Sequence, residues 1–238
     1  MADKKAVFKV FRFDPATEKE PHYDTFTVGI KEKMSVLEAL FEILEKQDNT
    51  LAFRFSCRGA ICGSCGMFIS GAYRLACETL VERLDPNGIV VAPLPHLPIV
   101  KDLAVDMVPF YEKFERVMPY IENSAPATGK ESLQSISRRK DIDEITDCIL
   151  CACCHSACPV TWTSDYLGPA VLTKVYRFAA DSRDKAGKAR LSLVDGENGV
   201  WRCHTIFNCV EACPKKINQT RAIEKLRHGL LAKKLGFR

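Results

Sequence analysis

The chain has 238 residues, 47% of them hydrophobic, and a formal net charge of +4. That is enough apolar material to core one large domain or two ordinary ones, and too weak a charge to argue for nucleic acid. No run of about 18 apolar residues is present to cross a membrane. The opening MADKKAVFKVFRFDP lacks both the apolar block of a signal peptide and the Arg/Ser-rich character of a transit peptide. The expected location is therefore the cytoplasm, or the matrix side if a presequence has been removed.

Residues 6–13 (AVFKVFRF) alternate apolar and polar at period two, the mark of a half-buried strand. The turn DPATEKEP leads to a second strand over 22–30, which predicts a hairpin. In MSVLEALFEILEK, Ser35 and Glu38 have capping-box spacing, and Val36, Leu37, Leu40, Phe41 and Leu44 form one stripe, predicting a helix over 36–46. Strand signals follow at 67–70, 72–76 and 88–92. Hairpin, helix and further strands point to a small α+β domain over residues 1–105. The polar stretch 121–140 reads as a linker or surface loop. Beyond it, PAVLTKVYRFAADSRD and QTRAIEKLRHGLLAKKL have helical spacing, with Pro169 suited to a first turn after Gly168. Residues 106–238 are thus expected to be mainly α.

The 12 cysteines fall in three groups, and without an export signal such grouping argues for metal rather than disulfides. Cys57-x4-Cys62-x2-Cys65, with Cys77 beyond, has plant-type [2Fe–2S] spacing. The glycines of CRGAICGSCG let the backbone curl and aim N–H groups at sulfur. The run Cys148-x2-Cys151-x2-Cys154-x3-Cys158-Pro159 is the full bacterial ferredoxin motif, with Cys153 out of register as a packing residue. The last run, CHTIFNCVEACP, carries Cys203, Cys209 and Cys213 but Ile206 at the second ligand place. In two-cluster ferredoxins the fourth cysteine of each run serves the other cluster. A [4Fe–4S] cluster then takes Cys148, Cys151, Cys154 and Cys213. Cys158, Cys203 and Cys209 are left for a cube lacking one iron, a [3Fe–4S] cluster, and eleven of the twelve cysteines are used. No P-loop, dinucleotide fingerprint or nucleophile elbow is present. The pattern is that of an electron wire needing a donor and an acceptor elsewhere.

The order of the boxes, with SCRGAICGSC, PLPHLPIVKDL, CILCACCHSACP, GPA, DSRD and RCHTIFNCVEACPK, resembles the iron–sulfur subunit of succinate dehydrogenase and fumarate reductase (respiratory complex II) over about residues 6–225. The resemblance implies an N-terminal β-grasp [2Fe–2S] ferredoxin domain followed by an all-α ferredoxin-like domain with two cubane-type clusters. It implies an FAD-bearing flavoprotein partner, a membrane anchor, quinone as acceptor, and a peripheral position on the cytoplasmic face of the bacterial inner membrane. A haem b is admitted in the anchor. By the same resemblance, Pro159, Trp162, His204 and Ile206 would border the quinone pocket, with Trp162 offering an indole N–H and His204 a proton relay or a haem propionate partner. Some members carry Asp where Cys65 stands. Arg138, Arg139, Lys140 and the tail RHGLLAKKLGFR would face solvent, lipid headgroups or the anchor. The direction, succinate oxidation or fumarate reduction, stays open. So do a soluble carrier, a subunit of another quinone-linked reductase, and a zinc-stabilised binding module.

Overall fold

The structure, a computed structural model, describes residues 4–123, 129, 131–163 and 165–236. Two compact units are present: Met1–Met107 with Ile149–Ala157, and Val108–Cys148 with Cys158–Arg238. The expected bounds, 1–105 and 106–238, differ from this partition at residues 106–107 and 149–157. The segment 149–157 packs with the first unit because the [2Fe–2S]-type loop receives it at two glycines, described below.

In the first unit, β1 (Lys5–Arg12) and β2 (His22–Gly29) form the expected hairpin, paired from Lys5↔Gly29 to Arg12↔His22. Helix α1 (Val36–Lys46) starts at Ser35, whose hydroxyl accepts from Glu38 N–H while the Glu38 carboxylate accepts from Ser35 N–H at 2.7 Å. Both first-turn donors are satisfied locally, so the helix begins where the sequence says. Strands β3 (Gly66–Ile69), β4 (Ala72–Leu75) and β5 (Ile89–Ala92) complete a five-stranded sheet of order β2-β1-β5-β3-β4, with β1 and β5 parallel. Parallel neighbours need a long crossover, here containing α1, and the result is the β-grasp arrangement. Ala6, Phe8 and Val10 alternate inward and meet Val36, Leu37, Leu40 and Ile43 of α1 in one core. Arg12 closes the end of β1. Its Nε donates to buried Asp102 at 3.1 Å, Nη2 to Thr50 at 2.8 Å, and Nη1 to Asp48. A two-stranded ladder, β6 (Ile99–Lys101) with β7 (Ala104–Val105), was not foreseen from the sequence, because its strands are too short to show a period.

In chain order the helices continue with α2 (Val108–Glu115), α3 (Ile136–Lys140) and α4 (Asp143–Thr146), then α5 (Cys153–Ser156) in the segment belonging to the first unit. The second unit resumes with α6 (Val160–Thr163), α7 (Pro169–Ala179), α8 (Gly187–Leu193), α9 (Asn208–Glu211) and α10 (Gln219–Lys234). It is all α among the described residues. Part of the expected linker, residues 124–128 and 130, lies outside the described residues. Its end is not loop: Ser135 caps α3, which carries Arg138, Arg139 and Lys140. Helix α7 stops at Ala179, short of the expected DSRD, because those residues turn into an ion-pair cluster. Asp181 accepts from Arg183, and Asp184 pairs with fully buried Arg190 at 2.7 Å. The Arg190 guanidinium also donates to the Val117, Met118 and Tyr120 carbonyls. Val171, Leu172 and Val175 of α7 pack on Ile223, Leu226 and Leu230 of α10, and Cys158 and Cys203 pack against this core.

Candidate metal centres

In the loop 57–65, Arg58, Ala60 and Gly63 have positive φ values of 55°, 57° and 74°. Left-handed residues at this spacing turn successive N–H groups to one side. The N–H groups of Gly59, Ile61 and Cys62 accordingly reach the Cys57 sulfur at 3.4, 3.4 and 3.2 Å, and Cys57 N–H reaches the Cys62 sulfur at 3.4 Å. Four donors aimed at two sulfurs is an environment built for thiolates. The Cys62 thiol is pulled down to about 6, first by a hydrogen bond from the Ser64 hydroxyl and then by Cys57 N–H. Ser64 carried no signal in the sequence. Cys65 and Cys77 flank the β3–β4 hairpin, where Ala76 N–H bonds to the Cys65 carbonyl at 2.9 Å. Burial pushes the Cys65 thiol up to about 12, with the neighbouring Cys77 acting on it as well. The loop is held to α1 by aromatic contacts: the Arg58 guanidinium lies over the Phe41 ring at 4.7 Å, and Phe41 meets Phe55 at 4.6 Å. The four cysteines therefore fit the [2Fe–2S] cluster that their spacing implies.

The same loop accepts the segment 149–157. A Cβ on Gly63 would stand 2.8 Å from Cys151 Cβ, and one on Gly66 would stand 3.0 Å from the Cys151 carbonyl oxygen and 3.4 Å from Cys153 Sγ. At Gly63, with its positive φ, only glycine allows this approach, and at Gly66 a side chain would need the neighbouring segment to give by a few tenths of an ångström. Cys153 is fully buried there. Of the four cysteines expected on the [4Fe–4S] cluster, Cys151 and Cys154 belong to the first unit, and Cys148 and Cys213 to the second. Leu150 and Ala152 repeat the left-handed pattern at 53° and 60°. Within the second unit, Cys148 and Cys213 pack on the cluster of Ile145, Ile217 and Ala222, and Ile217 N–H reaches the Cys213 sulfur at 3.4 Å.

Cys158, Cys203 and Cys209 line one cavity. Thr205 and Phe207, at φ 56° and 68°, coil the loop around Ile206, and Thr205 N–H meets the Cys203 sulfur at 3.5 Å. Pro159, His204 and Ile206 line the same cavity, with Ile206 49% exposed. Trp162 sits on α6, 73% exposed, outside that lining. Burial pushes the Cys209 thiol up to about 11 and raises Cys158 as well. Three further residues escaped sequence reasoning. Arg227 of α10 heads the tail expected to face solvent, lipid headgroups or the anchor, but its guanidinium turns inward and donates to the Val200 carbonyl at 3.0 Å and to the Cys203 carbonyl, fixing the loop's start. Thr220 Oγ1 lies 3.8 Å from Cys209 Sγ. Tyr166, 1% exposed, lines the cavity, and its hydroxyl donates to Cys203. The phenol is pushed well above its ordinary range by burial, then by the charges of Cys203 and Cys158. None of the three belongs to a cysteine motif, and each arrives from a distant helix or turn. Three sulfurs and one apolar side chain around a cavity fit a cluster that takes three ligands. Among the described residues no three His, Cys, Asp or Glu side chains converge tightly enough for a single ion.

Residues 7–112 match the family model described as a 2Fe-2S iron-sulfur cluster binding domain, and residues 144–217 that of a 4Fe-4S dicluster domain. The chain is 45% identical over 229 residues to the mitochondrial succinate dehydrogenase (ubiquinone) iron-sulfur subunit of Candida glabrata, covering 94% of this chain and 90% of that one. It is 42% identical over 224 residues to the succinate dehydrogenase iron-sulfur subunit of Paracoccus denitrificans, covering 93% and 86%. Among solved structures, a chain of the Mycobacterium smegmatis Sdh1 complex in the apo form shares the fold with a TM-score of 0.87, 24% identity and 98% coverage of both chains. A hypothetical protein from Helicobacter pylori matches at a TM-score of 0.59 and 18% identity, covering 95% of this chain and 40% of that one.

Proposed function

Because the chain belongs to the family of succinate dehydrogenase iron–sulfur subunits, we propose that it is the electron-transfer subunit of a succinate:quinone oxidoreductase. Its residues 1–105 and 106–238 serve as the two cluster-bearing domains. Cys57, Cys62, Cys65 and Cys77 hold the [2Fe–2S] cluster, and Cys148, Cys151, Cys154 and Cys213 the [4Fe–4S] cluster. Cys158, Cys203 and Cys209 hold a [3Fe–4S] cluster. Such clusters supply one-electron transfer, at potentials set by their nuclearity, exposure and hydrogen bonds.

This chain's own part is to hold the cysteines in fixed sites. The N–H groups of Gly59, Ile61 and Cys62 point at the exposed Cys57 sulfur, while Cys65 and Cys209 are buried. Succinate is oxidised on a flavoprotein partner that carries FAD, and quinone is reduced at a membrane anchor beside Pro159, His204 and Ile206. Trp162, exposed on α6, is available to that anchor. No helix among the described residues is long and apolar enough to cross a membrane, and the subunit is proposed to bind peripherally, on the cytoplasmic face in a bacterium or the matrix side in a mitochondrion. The names of the relatives favour succinate oxidation as the working direction.

The observation that carries this reading is the cavity lined by three cysteines with Ile206 at the place of a fourth. Low-temperature EPR on the anaerobically purified complex tests it. An oxidised-state three-iron signal that succinate bleaches while a [2Fe–2S] signal grows is the expected result. If every cluster were silent until reduced, the three-cysteine site would be wrong. A colourless, zinc-loaded preparation would overturn the redox role.

A further inference from the structure

We propose that the Tyr166 hydroxyl is a hydrogen-bond donor to the Cys203 sulfur that raises the reduction potential of the three-iron cluster. This inference rests on the three-cysteine reading above and names a positioning residue for it.

Tyr166 is 1% exposed and shares its cavity with Cys158, Cys203 and Cys209. Val171, Leu172, Val200 and Ile223 belong to the same core, and the cavity also carries His204, Thr205, Asn208 and Thr220. A buried phenol needs a partner for its O–H, and here that partner is Cys203. The backbone leaves the ring little freedom. Lys113 Nζ donates to the Tyr166 carbonyl at 2.9 Å, Leu167 N–H donates to the Asn198 carbonyl at 2.9 Å, and Gly168 then turns at φ 88° into α7. The backbone on both sides of the ring is thus pinned, and the ring shares the cavity of the three cysteines.

A phenol carries its proton throughout the physiological pH range, so it can only donate to a thiolate. Reduction adds one electron to a cluster whose sulfurs bear part of the charge. A donor at one sulfur stabilises the reduced form more than the oxidised form and raises the potential. No bond is made or broken, and the proton stays on the phenol oxygen. For the last cluster of a wire, a raised potential draws electrons forward and holds them until quinone accepts them.

The test is an EPR-monitored redox titration of the purified complex carrying Tyr166→Phe, which removes one oxygen and keeps the ring. At a fixed poise the ratio of reduced to oxidised three-iron cluster should fall several-fold, because only the part of the bond's strength that differs between the two redox states counts. The [2Fe–2S] midpoint should not move. Val171→Ala, which thins the same core without touching a donor, should leave the three-iron midpoint in place. Equal midpoints in parent and Tyr166→Phe, with the three-iron signal intact in both, would overturn the role of Tyr166 and leave the three-cysteine site standing. So would an equal shift in Val171→Ala, since packing alone would then explain it. A parent complex without a three-iron signal would overturn both readings.

Discussion

Ile206 lines the cavity of the last three cysteines at the position where a ferredoxin run carries its second ligand. Replacing it tests the stoichiometry directly. Ile206→Cys should restore a fourth thiolate and convert the site to a four-iron cluster. The oxidised-state three-iron EPR signal would then disappear while total iron per protein rises; an unchanged signal would show that position 206 does not face the missing corner. Gly63 makes a different kind of demand. Its φ of 74° and the 2.8 Å gap to Cys151 Cβ both exclude a side chain. Gly63→Ala should therefore destabilise the fold by roughly 1–3 kcal/mol for the backbone alone, read as a lower thermal midpoint, and more if the Cys151 segment is pushed away. Visible absorbance from the N-terminal cluster should drop in the same variant. The cysteine runs and Ile206 stood out because motif spacing is a local property of the chain. Tyr166, Thr220 and Arg227 were not, because a hydroxyl or guanidinium becomes a neighbour of a thiolate only when distant segments fold together.

Among the elements, those with strong local signals formed where the sequence placed them. Helix α1 spans Val36–Lys46 as its capping box and apolar stripe required, and β1, β2, β3, β4 and β5 lie within a residue of the expected strands. The shortening of α7 has a tertiary cause. Asp184 and Arg190 are withdrawn from solvent to bind one another and three carbonyls, and that geometry needs a turn rather than helix at 180–186. With both side chains at most 1% exposed, removing one partner strands a buried charge. Asp184→Ala should cost about 3–5 kcal/mol, measured by denaturant unfolding of the second unit's helical signal. A loss below about 1 kcal/mol would mean that the pair is hydrated in solution.

At the scale of the whole molecule, acid should act in two stages. The Asp48 carboxyl is held down to about 2 from 3.8, first by the Thr50 hydroxyl and, against burial, by Arg12. Glu38 is lowered by the Ser35 N–H. Asp181 is lowered by Arg183, and Asp184 by Arg190 in spite of burial. Carboxylates with depressed folded values add stability that is complete above their unfolded range and is lost as pH falls through it. The cluster-free fold should accordingly keep a level thermal midpoint from pH 7 to about 5 and lose it from about 4 towards 2. Cluster retention has a different proton balance. Thiols pushed up to about 12 at Cys65 and about 11 at Cys209 must give up protons to bind iron, so acid competes with the metal. Iron release to a chelator should begin at a higher pH than the loss of helical circular dichroism. Coincident transitions would mean that the clusters, not the carboxylates, hold the acid-stable fold.

The sequence by itself determined the cysteine spacings, the presence of three cysteines and Ile206 in the last run, the capped helix and the family to which the chain belongs. Each is written in residues a few positions apart, where periodicity and motif spacing can be read. Tertiary structure alone decided that 149–157 packs with the first unit, that a glycine must stand at 63 against Cys151, and that Tyr166 lies in the cavity of Cys203. Those contacts depend on steric fit and burial between segments up to about a hundred residues apart, and close packing of that kind leaves no periodic trace in the chain.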